Sequence, residues 1–77
     1  MRKTYRIGDF VIIGLPPRGK KERELKTIIG DNAVIRSHTV VYAGNIIGDN
    51  FQSGHKVMIR ENNRIGDNVS IGTGTVI

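Results

Sequence analysis

From Thr27 to Ile77 the chain reads TIIGDN AVIRSH TVVYAG NIIGDN FQSGHK VMIREN NRIGDN VSIGTG TVI, a period of six held without a slip. An aliphatic residue recurs at Ile29, Ile35, Val41, Ile47, Ile59, Ile65, Ile71 and Ile77, and only Ser53 breaks the series. Two residues earlier runs a second column, mostly small or compact: Thr27, Ala33, Thr39, Asn45, Phe51, Val57, Asn63, Val69 and Thr75. On extended backbone, positions two apart face the same side, so both columns point inward. After each aliphatic residue comes a triplet rich in Gly, Asp and Asn, which tolerate positive φ and mark corners. Gly30-Asp31-Asn32, Gly48-Asp49-Asn50 and Gly66-Asp67-Asn68 recur 18 residues apart, which is three hexads.

One coil therefore holds three short strands and three corners, and the fold class is all-β. A period of six does not match the 3.6 of a helix, and β-branched residues with frequent Gly oppose one. A meander fails because no corner carries two long alternating strands around a tight turn. What remains is a parallel β-helix of triangular cross-section, with about 18 residues per coil and about three to four coils. Stacking at 18 aligns Ile29 with Ile47 and Ile65, and Val41 with Ile59 and Ile77. Thr27, Asn45 and Asn63 form a polar inward column in which the two Asn side chains are expected to ladder. The undersized Ser53 falls in the same hexad step as Phe51, an exchange of volume that keeps the core filled.

Earlier in the chain, Ile7-Gly8-Asp9 and Ile13-Gly14 look like two more hexads, and then the phase slips. The sixteen residues from Ile13 to Ile29 exceed two hexads by four. The interval holds Pro16-Pro17-Arg18-Gly19-Lys20-Lys21-Glu22, so a loop excursion near 16–26 leaving a corner is expected.

The 77 residues allow a single domain, 1–77, and the 5% aromatic content without Trp argues against a large enzyme core. Cys is absent, which removes disulfides, thiolate metal sites and a Cys nucleophile together. A chain this short then has oligomerisation as its remaining staple. The longest nearly apolar run, Phe10 to Leu15, is six residues against the roughly 20 of a membrane span, and no signal-peptide core follows Met1-Arg2-Lys3. No membrane partner is expected, and the expected location is cytoplasmic. The net charge of +5 sits wholly in residues 1–26, mainly from Arg18 to Lys26, without interleaved aromatics for base stacking. No nucleic-acid partner is expected.

The hexads from Ile29 to Ile77 resemble those of the hexapeptide-repeat, or isoleucine-patch, acyltransferases. A narrower likeness lies in Pro16-Pro17-Arg18-Gly19-Lys20-Lys21, in Ile35 to Asn45 and in Gly54 to Asn62, which are similar to sugar N-acetyltransferases acting on amino groups of nucleotide sugars. The resemblance implies a left-handed β-helix, an exception to right-handed crossover. It also implies homotrimers that take acetyl-CoA as co-substrate in the groove between adjacent chains. Members are longer, so the chain is expected to be an N-terminal part, truncated relative to the family.

Acyl transfer from a thioester to an amine needs a base for the amine proton and donors for the developing oxyanion. His is the natural base near neutral pH. His55, in the corner Gly54-His55-Lys56, points outward beside a small Gly, and the resemblance places it where the subgroup carries a turn His; it is the expected catalytic residue. His38, Tyr42, Arg60 and Glu61 are expected substrate contacts, with Arg60 one coil beyond Tyr42, an arrangement that equally fits a cation-π stack and a surface ion pair. Lys20, Lys21 and Arg23 are candidates for the CoA phosphates or for a solvated loop. The corner glycines are no phosphate loop, since no Gly-Lys-Ser/Thr follows them. The γ-class carbonic anhydrases share this β-helix and use three His ligands; two His, 17 residues apart, do not make that set, and no metal is expected. The expected function is an acetyl-CoA-dependent sugar or nucleotide-sugar N-acetyltransferase, or the N-terminal part of one. The alternative is a non-catalytic β-helix module for oligomerisation.

Overall fold

The structure, a computed structural model, describes residues 5–16, 18–19 and 26–77. In chain order the strands are β1 (Tyr5–Ile7), β2 (Ile12–Leu15), β3 (Ile28–Ile29), β4 (Ala33–Ile35), β5 (Val40–Tyr42), β6 (Ile46–Ile47), β7 (Gln52–Ser53), β8 (Met58–Ile59), β9 (Arg64–Ile65) and β10 (Ser70–Ile71). There is no helix among the described residues. The strands make three sheets, ordered β1-β4-β7-β10, β2-β5-β8 and β3-β6-β9, and every pairing is parallel. The chain visits the three sheets in rotation, as a parallel β-helix requires. From β3 onward each pairing is offset by 18 residues, for example Ile29 with Ile47 and Ile47 with Ile65.

The N-terminal strands pair with a different offset. Tyr5 lies beside Ala33 and Ile12 beside Val40, an offset of 28, so this tier carries ten residues more than the 18 of the others. The sequence phase shows only the remainder of that excess after division by six, which is why it reads as four. One extra residue is at Gly14: the register shifts between Ile13 and Leu15, and Gly14, at φ 84°, occupies the bulge. The other nine lie between Leu15 and Ile28. Of the expected excursion, Pro17 and residues 20–25 fall outside the described residues, and with them Lys20, Lys21 and Arg23.

Both inward columns are buried in the middle of the stack. Ala33, Ile35, Val41, Phe51 and Ile59 are fully inaccessible, and Thr39, Asn45 and Ser53 are buried polar members of the same columns. Exposure of the hexad aliphatics rises only in the outermost tiers, to 44% at Ile7, 40% at Ile13 and 41% at Ile77. Phe51 and Ser53 are both buried in one tier, as a volume exchange demands, and the Ser53 hydroxyl accepts the Arg36 N–H at 3.3 Å.

The inward Asn pair does not ladder amide to amide. Asn45 Nδ2 donates to the Tyr42 carbonyl and Asn63 Nδ2 to the Arg60 carbonyl, while Asn45 Oδ1 accepts the Asn63 backbone N–H at 2.9 Å. Corner carbonyls turned toward the interior need donors, and the inward amides meet that need first. The amide ladder forms outside instead, from Asn32 Nδ2 to Asn50 Oδ1 and from Asn50 Nδ2 to Asn68 Oδ1. Beside it, Asp49 Oδ1 accepts the Asp31 N–H and Asp67 Oδ1 the Asp49 N–H, tying each corner to the next.

In the Gly-Asp-Asn corners it is Asn, not Gly, that carries the positive φ: 62° at Asn32, 60° at Asn50 and 60° at Asn68. Gly serves clearance. A Cβ at Gly48 would stand 2.8 Å from the Gly66 carbonyl carbon and 2.9 Å from the Asp67 nitrogen, whereas one at Gly66 would meet nothing within 4 Å. Gly48→Ala should therefore lower stability by about 1–3 kcal/mol, as overpacking does, while Gly66→Ala stays within about 0.5 kcal/mol. Urea midpoints of the two variants check this; equal midpoints would remove the clearance argument.

Candidate functional site

Stacked corners set side chains in vertical rows, and the row at the corner after β4 and β7 carries most of the chemistry. Aligned by register, the second corner positions are Asp9, Ser37, His55 and Thr73, and the third are Phe10, His38, Lys56 and Gly74. Ser37 Oγ and His55 Nδ1 are 2.8 Å apart. The His55 backbone N–H donates to Thr73 Oγ1 at 3.1 Å and the His38 N–H to the Asp9 carbonyl at 3.0 Å, so the tiers on both sides hold the pair, while the Lys56 N–H donates to the Ser37 carbonyl at 3.0 Å and ties its two tiers together. His55 is exposed, and its Nε2 lies on the side of the ring away from the Ser37 bond.

The direction of that bond decides what Nε2 does. With the proton on Nδ1, the ring donates to Ser37 Oγ and Nε2 presents a lone pair. With the Ser37 hydroxyl donating, Nε2 carries the proton and becomes a donor. The first arrangement is a base with an oriented ring. When its Nε2 takes a second proton, the bond to Ser37 persists and becomes charge-assisted.

An open groove of about 540 Å³ lies beside this pair on the outer face of sheet β1-β4-β7-β10. Arg6, Arg36, Ser37, Gln52 and His55 line it.

His38 is placed otherwise. Its ring stacks on Phe10, centroids 5.1 Å apart and planes tilted by 30°, and its backbone sits at φ 63°. Tyr42, at the end of β5, and Arg60 and Glu61, between β8 and β9, share a different corner row. There the Arg60 guanidinium carbon lies 4.6 Å from the Tyr42 ring centroid, and Arg60 Nε donates to Glu61 Oε1 at 3.1 Å. The expected substrate contacts thus fall in two separate corner rows: the structure joins His55 to Ser37 and Tyr42 to Arg60 and Glu61, and does not join the two rows within one chain.

Glu61 titrates below the usual 4.5, first because its own backbone N–H bonds the ionised carboxylate and then because Arg60 does. Arg60 in turn is pushed up by Glu61. A depressed carboxylate contributes stability that is present above its unfolded value and lost as pH falls through the folded one, so any loss from Glu61 sets in below 4.5. Arg60→Ala should move the Glu61 midpoint only part of the way back, since the backbone donor remains; a carbon-detected NMR titration reads it, and full recovery would reverse the order of the two causes.

Sequence reasoning missed Ser37, Arg36, Gln52 and Arg6. Ser37 was within reach, because it stacks at 18 on His55. Arg6 was not, because its neighbours follow from the offset of 28. Among the described residues no group of three or more His, Asp or Glu could hold a metal ion, and no helix is long and apolar enough to cross a membrane. Comparison with protein-family models, with curated proteins and with solved structures gives no match.

Proposed function

We propose that the chain is an acetyl-CoA-dependent acyltransferase, or the N-terminal part of one, that acetylates the amino group of a sugar or nucleotide sugar. The fold of that reading is a closed, left-handed β-helix of hexapeptide type, assembled as a cytoplasmic homotrimer. The observation that carries it is the bond of 2.8 Å between Ser37 Oγ and His55 Nδ1 on an outward corner beside the groove. In the reaction the amine nitrogen attacks the thioester carbonyl carbon, and His55 Nε2 takes the proton the amine sheds. The C–S bond then breaks, and the departing thiolate takes that proton back as CoA thiol.

The test is thiol release from acetyl-CoA with an amino-sugar nucleotide as acceptor. Acceptor-dependent release of one thiol per acetylated amine supports the reading; release that ignores the acceptor, or none, overturns it. A second reading, a non-catalytic oligomerisation module, is favoured by the exposed aliphatics on the outer faces of the sheets, Ile12, Ile28 and Ile46. A trimer by light scattering without acceptor-dependent thiol release would decide for that module.

A further inference from the structure

We infer that the groove on the outer face of sheet β1-β4-β7-β10 is a binding site for the diphosphate of a small phosphorylated molecule, held by Arg6 and Arg36. On β1, β4 and β7 the outward positions are Arg6, Val34 and Gln52, in register across three strands. Arg36 begins the corner that follows β4, and Ser37 and His55 close the same end of the groove. Two Arg, a His, a Ser and a Gln thus line one space together with Ile7, Val34 and Ile35, and no acidic residue is among the lining residues.

Both arginines are exposed, and among the described residues the one ion pair, Arg60 with Glu61, lies at another corner. Among the described residues no acid is paired with either of them. Arg presents paired N–H donors that match phosphate oxygens two at a time, and two Arg match two phosphoryl groups. Gly8 lets the first tier close onto this corner: a Cβ there would stand 2.7 Å from the Ser37 nitrogen, so the strand that carries Arg6 packs directly against the corner that carries Arg36. A volume of about 540 Å³ exceeds what one orthophosphate fills and falls in the range of small-molecule sites, about 300–1,000 Å³.

A diphosphate on Arg6 and Arg36 lies beside the corner of Ser37 and His55, within reach of that pair for the group it carries. Naming that group as the amino sugar to be acetylated rests on the acyl-transfer reading; the diphosphate site itself stands on the groove alone.

Inorganic pyrophosphate is the probe, titrated into the full chain and followed by NMR. Expected are shifts confined to Arg6, Gly8, Arg36, Ser37, Gln52 and His55, and at least a tenfold loss of affinity in Arg6→Gln/Arg36→Gln. Arg36→Gln alone, which leaves the N-terminal strand untouched, should lose part of it. The control Arg18→Gln/Lys26→Gln removes the same charge elsewhere and should bind as the parent does. Equal losses in the two double variants, or shifts spread over the whole basic end, would overturn the site, as would displacement of pyrophosphate by a single-stranded oligonucleotide at lower concentration than by a nucleoside diphosphate. Pyrophosphate binding without acceptor-dependent thiol release would uphold the groove and sink the acyl-transfer reading; thiol release without pyrophosphate binding would do the reverse.

Discussion

Phe51→Ala should lower the free energy of unfolding by about 3–5 kcal/mol, the usual effect of truncating a buried Phe. Phe51 is fully inaccessible and the largest of the completely buried side chains. It stands in the column of Ala33 and Val69, next to the short Ser53, and packs in one core cluster with Ile35, Ile47, Ile59 and Ile71, so its truncation opens a cavity at the centre of the stack. At about 0.05–0.15 kcal/mol per residue, a chain of 77 residues has roughly 4–12 kcal/mol in hand, and this one truncation removes a large part of it. Urea unfolding should show the midpoint falling with little change in slope.

The flanking tiers name the compensating change. They pair a small inward residue with Ile, as Ala33 with Ile35 and Val69 with Ile71, so Phe51→Val/Ser53→Ile turns this tier into one of theirs. The two single changes should sum to at least about 1 kcal/mol more destabilisation than the double change. Additivity would mean that Phe51 and Ser53 do not share one volume.

The same tier shows why so much of this fold was legible. In most proteins the pairing register must be guessed, but here the six-residue period is the register, so writing the sequence in rows of 18 already places Phe51 under Ala33 and His55 under Ser37. Legibility ended where backbone geometry took over. The Gly-Asp-Asn triplet signals a corner, yet it does not say that Gly48 is there for the passage of Gly66 and Asp67 while Asn50 bears the left-handed turn. Nor does it say that Asn45 will bond a carbonyl and an N–H in place of its stacked partner Asn63, because the demand comes from corner groups whose orientation no period encodes. The groove was hidden for a different reason: the ten additional residues of the first tier separate Arg6 from Val34 and Gln52 by an interval that matches no multiple of the repeat.

His55→Ala is expected to lower turnover by about 100-fold to 10,000-fold, the range found when a general base is removed, while leaving the fold intact. The fold is spared because the side chain is exposed, and the tie from this corner to the last tier runs through the His55 backbone N–H and Thr73 Oγ1, which Ala retains. Ser37→Ala separates orientation from proton transfer. It leaves the imidazole in place but removes its Nδ1 partner; with Nδ1 as the donor, as the base role requires, turnover should fall by less, and the nitrogen shifts of the His55 ring should move toward the Nε2-protonated tautomer common in free imidazoles. Ser37→Thr keeps the oxygen and should restore both readings. A surface hydrogen bond with no part in the chemistry would leave turnover unchanged in Ser37→Ala and His55→Ala alike, and that result would return His55 to an exposed corner residue and the groove beside it to a site of binding alone.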